Sequence, residues 1–466
     1  MREGGPADGL ARVPRILCVG AYERDNFGDL LFQLITAQYL DGADVVFAAP
    51  FSSDMTELIG IHVPAYGPLL ESERFDAVWT VGGEVGGVGI DYAYRTKHGD
   101  DAHRDFVAKT PDERRAILAA EQGAVPVESP YLPRASAYAP NVNAAVVVNS
   151  VGLAGVRGLP PVRKAGVLGV LREATRIAVR DQRSSEALRD EGIEHRLEPD
   201  LVHSIAVTRP LPDRVRGDYV LLQASAAHVR GYGVDGFARA IIDSPVLREH
   251  PVRLFTAGTA PGHDSFEVYE RVRDLVREAD PARRIEISRT TDPWARVDEI
   301  ASAKLWIGSS LHGRIISCAY GVPRVSFARP KVDDYARTWD DEMPWGIDHG
   351  GMDAAASRAL ELPADDRGAD LGKRAHENAL SAVEHVREWA ASGPPPDRAE
   401  AIIGVRNEQW SRLTIELARA DAARKAAQAP APAAKPALTA KPGLARRLRR
   451  RAGRVVRRVR ALLRSG

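Results

Sequence analysis

The chain has 466 residues, 44% hydrophobic and 27% charged, too long for one ordinary core, so two α/β domains plus tails are expected. Its two cysteines, Cys18 and Cys318, exclude a disulfide framework and read as reduced core residues. A net charge of +1 conceals eleven Lys/Arg and no acid in residues 441–466, which leaves the other 440 residues at −10 and argues against a general nucleic-acid-binding surface on the folded part.

Residues 1–14, MREGGPADGLARVP, lack an apolar signal core and read as a disordered N-terminus. No run reaches the roughly 18 to 20 apolar residues of a membrane span, so a cytoplasmic protein without a transmembrane anchor is expected. Strand-like runs then recur at 15–20, 44–49, 76–83, 144–152, 176–181, 219–225, 252–258, 284–288, 304–309 and 323–328, with helical stretches between them. Short, continuous Val/Ile-rich runs of this kind predict parallel strands buried on both faces, in β-α-β order throughout.

A Pro, Arg and Asp cluster at 207–218 interrupts the alternation and divides an N-terminal domain, 15–215, from a C-terminal one, 216–395. Residues 90–140, with no clear period, are an insertion that is either a sugar-facing loop or a surface excursion. Leu371, Ala375, Ala379, Val383, Val386 and Ala390 trace one helical face before Gly393-Pro394, and a helical extension follows at 396–425. An Ala/Pro/Lys linker, 426–443, tethers a basic amphipathic helix, 444–466. That segment suits the surface of an anionic membrane, and a solvated tail or nonspecific polyanion contact is the alternative.

Five stretches carry candidate chemistry. GAYERDNFGDLL leaves the first strand through Asn26, Gly28 and Asp29, and VGGEVGG places Gly82, Gly83 and Glu84 after another buried strand, both suited to backbone close to a ligand. RIAVRDQRSSEALRDEGI puts Arg180 and Asp181 at a strand's carboxyl end, where Arg180 either grips an anion in a fork or pairs with a neighbouring carboxylate. LWIGSSLHGRIISCAYGVPRVSF brings Ser309, Ser310, Leu311, His312, Gly313 and Arg314 to a strand-to-helix turn, and His312 there is either a capping or packing residue or a proton-transfer group. His263 and Asp264 of GTAPGHD follow a strand and are placed to line a cleft. His195 and His203 have no partners at metal-ligand spacing, so no metal site is expected.

Taken in order, GAYERDNFGDLL, VWTVGG, VVNSVGL, IAVRDQRSSEALRDEGI, EPDLV and IGSSLHGRIISCAYGVPRVSF resemble the polysaccharide pyruvyl transferase family over about residues 15–340. The resemblance implies two Rossmann-like domains similar to the GT-B glycosyltransferase fold, and transfer of pyruvate from phosphoenolpyruvate to a sugar of a cell-envelope or exported glycan as a ketal. It implies His312 as catalytic acid/base with Arg180 as donor clamp, Ser309, Ser310, Leu311, Gly313 and Arg314 around the donor, and Asn26, Gly28, Asp29, Gly82, Gly83 and Glu84 on the acceptor side. No cofactor beyond phosphoenolpyruvate as co-substrate is implied. The expected partners are the donor, a glycan or lipid-linked saccharide, and an anionic membrane at the inner face of the plasma membrane reached through 444–466, with no specific nucleic acid. Ser310 departs from the family, which commonly has arginine directly before Leu-His. A nucleotide-sugar glycosyltransferase and an inactive glycan- or membrane-binding protein are the competing expectations.

Overall fold

A computed structural model describes residues 12–123, 125, 129–211, 214–363 and 366–428. The basic segment 444–466 lies outside these residues, as do nearly all of the linker and most of the N-terminal segment. The strands are β1 (Arg15–Val19), β2 (Asp44–Ala48), β3 (Ser53–Met55), β4 (Ile61–Val63), β5 (Ala77–Val81), β6 (Ala145–Val151), β7 (Arg176–Val179) and β8 (Arg196–Leu197), then β9 (Val220–Gln223), β10 (Val252–Leu254), β11 (Ile285–Ile287), β12 (Leu305–Gly308) and β13 (Arg324–Ser326). They form two parallel sheets, ordered β2-β1-β5-β6-β7-β8 and β11-β10-β9-β12-β13. The fold is therefore α/β with two Rossmann-like sheets. Helices cover both faces of each sheet's central strands, which is why AVWTV and AVVVNSV are buried at every position.

One departure from a strict β-α-β order is the antiparallel pair β3–β4, with Met55 opposite Ile61. A second concerns the helix Arg367–Ser392, which falls with the C-terminal domain in sequence but packs back on the first sheet. There Asn378 donates to Asn149 at the end of β6 at 2.9 Å and accepts from Arg176 at 2.9 Å, while Trp389 donates to the Asn143 carbonyl at 3.0 Å. The apolar stripe Leu371, Ala375, Ala379, Val383 and Val386 is the buried face. Residues up to Arg412 cluster as one compact unit, and a second begins at Leu413, within the helix Arg398–Gln428.

Strand order fixes where a ligand can sit. In the first sheet the chain runs from β1 outward to β2, then returns to the other side of β1 with β5. In the second it runs from β9 to β10 and β11, then returns with β12. Each reversal leaves a crevice at the carboxyl ends of the strands that flank it. The two crevices are joined by Asp25, which follows β1. Its carboxylate accepts from the fully buried Arg296 at 2.9 Å and from the backbone and hydroxyl of Thr259 at 3.0 and 2.9 Å. Phe27 adds a backbone bond to the Ala257 carbonyl at 3.0 Å.

Removing Asp25 leaves a buried guanidinium without its counter-charge. Asp25→Ala is expected to destabilise the protein by about 3 kcal/mol, read as a lower urea midpoint, and Arg296→Met on top of it should cost less than the two single effects combined. A wild-type midpoint for Asp25→Ala would show that this pair does not hold the two sheets together.

Candidate functional site

The crevices merge into a cavity of about 540 Å³ lined from both sheets, including Asn26, Glu84, Arg180, Gln223, Asp264, Ser309, His312 and Lys331. Arg180 directly follows β7 and is 3% exposed, with Nη1 donating to Asp200 Oδ2 at 3.0 Å. Asp181 is engaged otherwise, as the N-cap of Gln182–Arg189, accepting from the Ser184 backbone at 2.8 Å. Arg180 thus both forms a buried ion pair and faces the cavity. Burial works against its charge, but Asp200, Glu84 and Asp181 outweigh that and hold it protonated. Burial raises the Asp200 carboxyl, and Arg180 opposes the rise.

His312 stands in the first turn of the helix Leu311–Ala319, whose N-cap is Ser310, accepting from the Gly313 backbone at 3.2 Å. Capping therefore falls to Ser310, not His312. The imidazole is 8% exposed, lies edge-on to Phe32 with centroids 5.2 Å apart, and has Nε2 3.9 Å from Asp200 Oδ2. Nε2 has no hydrogen-bond partner among the described residues. Burial, then Arg180 and Lys331, holds its pKa well below the ordinary imidazole value, which favours the neutral ring. Gly28 makes this placement possible, because a Cβ there would lie 1.8 Å from His312 Nδ1.

Two further cations enter from the loop after β13. Arg329 donates to Ser225 Oγ at 2.6 Å, and Lys331 opens onto the cavity in the first turn of the helix Pro330–Trp339. Neither forms an ion pair among the described residues. Lys331 is solvent-exposed at the cavity; partial loss of surrounding water, then Arg180, lowers its pKa, against the pull of Asp29 and Glu84. Gln223 at the end of β9 ties the neighbouring turns together: its carbonyl accepts from the Ser309 backbone at 2.9 Å and its amide donates to Asp264 Oδ1 at 2.8 Å. Burial pushes the Asp264 carboxyl up to about 7, against the Ala257 N–H that donates to Oδ2 at 2.6 Å. The adjacent His263 is lowered to about 4, by burial and then by Arg24.

On the opposite wall Gly82 and Gly83 adopt left-handed φ values of 71° and 80°, which turn Glu84 into the cavity. Asp29 accepts from Asn26 at 2.7 Å and from Arg24 at 3.2 Å. Tyr131 closes that corner, donating to Glu23 at 2.5 Å, and Tyr92 of the insertion lines the cavity with 48% of its surface exposed.

The structure thus gathers His312, Arg180, Ser309, Ser310, Leu311, Asn26, Asp29, Gly82, Gly83 and Glu84 around one cavity. It does not bring Gly313 or Arg314 there. Gly313 packs against the Trp306 ring, and Arg314 is fully buried in a core network with Nε 2.8 Å from Asp340 and Nη2 3.0 Å from the Met343 carbonyl. Two residues past His312 on a helix is about 200° around the axis, so Arg314 faces the sheet. Gly28 lies behind His312 instead of lining the cavity. Arg24, Gln223, Arg329 and Lys331 escape the sequence reading; for the last two the only signal is Arg-Pro-Lys directly after a strand, the start of a helix with proline at its first position. His195 bonds Ser185 and the Ile193 carbonyl, each at 2.8 Å, and His203 is fully buried against Tyr335. No group of three or more His, Cys, Asp or Glu among the described residues is arranged to hold a metal ion.

Residues 127–330 match the family model described as polysaccharide pyruvyl transferase. No curated protein sequence matches. Among solved structures, the chain is similar to a UDP-GlcNAc 2-epimerase from Methanocaldococcus jannaschii, at 12% identity and TM-score 0.46 over 79% of this chain and 99% of that one. A UDP-GlcNAc 2-epimerase from Neisseria meningitidis gives 8% identity and TM-score 0.44 over 79% and 100%. A glycosyltransferase of avilamycin A biosynthesis gives 12% and 0.40 over 81% and 98%.

Lys331→Met removes a positive charge that disfavours imidazolium, so the His312 pKa is expected to rise toward the ordinary value, followed by NMR of the ring protons against pH. An unchanged titration would show that Lys331 does not act on His312.

Proposed function

We propose, from the match of residues 127–330 to the polysaccharide pyruvyl transferase family model, that the cavity binds phosphoenolpyruvate and transfers its pyruvyl group to two hydroxyls of a glycan as a ketal, with release of phosphate. The observation that carries this reading is a buried His312, its Nε2 without a hydrogen-bond partner among the described residues, in a cavity that also presents Arg180, Arg329 and Lys331. Phosphoenolpyruvate bears a phosphate and a carboxylate on one enol carbon. The guanidinium groups match such anions in fork geometry, and the helices starting at Leu311 and Pro330 direct unpaired N–H groups and the positive ends of their dipoles at the same space.

The depressed pKa of His312 then has a use. A donor with two anionic groups offsets the charge of Arg180 and Lys331, so donor binding favours the imidazolium, and the acid that protonates C3 is formed only when C3 is present. Attack of a sugar hydroxyl on C2, departure of phosphate and attack of a second hydroxyl complete the ketal. The polysaccharide of the family description supports a glycan acceptor, which we take to be a sugar of a cell-envelope or exported glycan, free or lipid-linked. We propose also that residues 444–466 hold the protein at an anionic membrane on its cytoplasmic side; no described helix is long and apolar enough to cross a membrane.

Purified protein incubated with phosphoenolpyruvate and defined glycans is expected to release phosphate and add a pyruvyl group detectable by mass spectrometry. His312→Ala and Arg180→Ala should each lower kcat by at least about 100-fold with an unchanged circular dichroism spectrum. Turnover only with a nucleotide sugar would overturn the reading. Deleting 441–466 should release the protein from anionic vesicles while sparing turnover on a soluble acceptor, and undiminished vesicle binding would reject the membrane role.

A further inference from the structure

Glu84 is a cavity carboxylate that the reaction above leaves without a task. Its position is built with care. Two left-handed glycines deliver it from β5, its backbone bridges Gly152 in parallel register, and a Cβ on Gly152 would lie 1.9 Å from Glu84 Oε2. The other carboxylates at the cavity are engaged: Asp29 by Arg24 and Asn26, Asp264 by Gln223 and the Ala257 N–H, Asp200 by Arg180. Glu84 forms no ion pair among the described residues, and the Gly155 backbone is the hydrogen-bond donor that reaches it.

The chemistry has an opening for such a group. When the first hydroxyl attacks C2 it must lose its proton while C3 gains one, and His312 cannot accept and donate in the same step. His312 projects from a helix of the second sheet and Glu84 from a turn of the first, so the two face the cavity from different walls. Resting on the reaction proposed above, we infer that Glu84 is a second catalytic residue, the base that takes the proton of the attacking acceptor hydroxyl.

The protons balance. The hydroxyl proton passes to Glu84 as the O–C2 bond forms and the imidazolium of His312 protonates C3. Glu84 then gives its proton to the phosphate as the C2–O bond to phosphorus breaks. The second hydroxyl loses its proton to His312 as it closes the ketal, and both residues return to their starting states. Burial first, then Asp181, raises the Glu84 pKa, with Arg180 and Lys331 opposing. Such a carboxylate is a stronger base than one at the surface.

The test uses full-length Glu84→Gln and Glu84→Asp, with calorimetric binding of phosphoenolpyruvate beside transfer to a defined glycan. Glu84→Gln should bind the donor within about threefold of wild type, lose at least about 100-fold in kcat, and lose the acid limb of the kcat–pH profile that an ionised base imposes. Glu84→Asp should restore part of the rate; if Glu84→Gln does not fold, a loss of kcat with donor affinity intact in Glu84→Asp supports the same role. A Glu84→Gln kcat within threefold of wild type, or donor binding lost in step with turnover, overturns it. Wild-type protein that binds no phosphoenolpyruvate and transfers nothing overturns the reaction itself, a different result from an active wild type with an active Glu84→Gln.

Discussion

Asp200 is a carboxylate with no exposed surface, and its ionisation depends on the single guanidinium of Arg180 at 3.0 Å. An unpaired charge in that position is costly, so the pair stabilises this wall of the cavity. It fixes more than itself. The Asp200 backbone N–H donates to the Tyr335 hydroxyl at 3.2 Å, and Oδ1 caps the turn at Leu201 by accepting from the Val202 backbone at 3.0 Å. The Arg180 carbonyl accepts from the Trp339 indole at 2.7 Å. Tyr335 and Trp339 belong to the helix that begins beside Lys331, so the ion pair aligns the end of β7 with the helix that presents the cation. Asp200 Oδ2 also lies 3.9 Å from His312 Nε2, so the same carboxylate stands beside both the guanidinium and the imidazole.

A cavity assembled from two sheets needs space as much as charge. His312 reaches its position because Gly28, at the start of the first helix, has no side chain, and Glu84 reaches its own because Gly152 has none. These allowances cross between elements far apart in sequence, and neither is a property of the turn in which the glycine sits. The Asp25 to Arg296 and Thr259 contacts keep the two crevices aligned, so the charge pattern is a property of the joined sheets and of neither alone.

Sequence periodicity revealed the sheets well because parallel strands buried on both faces leave an uninterrupted apolar signal, as in AVVVNSV at β6. It said nothing of β8, whose two residues are too few to carry a pattern, or of β3–β4, where SDM and IHV mix polar and apolar residues. The helix Arg367–Ser392 showed its apolar face but not which sheet that face would meet, since an amphipathic stripe is complementary to either. In the cavity the strand-end residues Arg180 and His312 were legible from topology. Arg329 and Lys331 were not, because their position depends on the path of the loop after β13.

Ser310 shows why a single departure from a family pattern is a poor guide to a site. Its hydroxyl accepts from the Gly313 N–H and begins the helix that carries His312; an arginine side chain, which only donates, cannot take that cap. The positive charge that arginine would bring is not missing from the cavity, because Arg329 and Lys331 enter the same space from the adjoining helix start. A lysine there differs from an arginine at Ser310 in one physical respect. Its ammonium is a compact point charge on a flexible stem, where a guanidinium is a planar fork of fixed geometry.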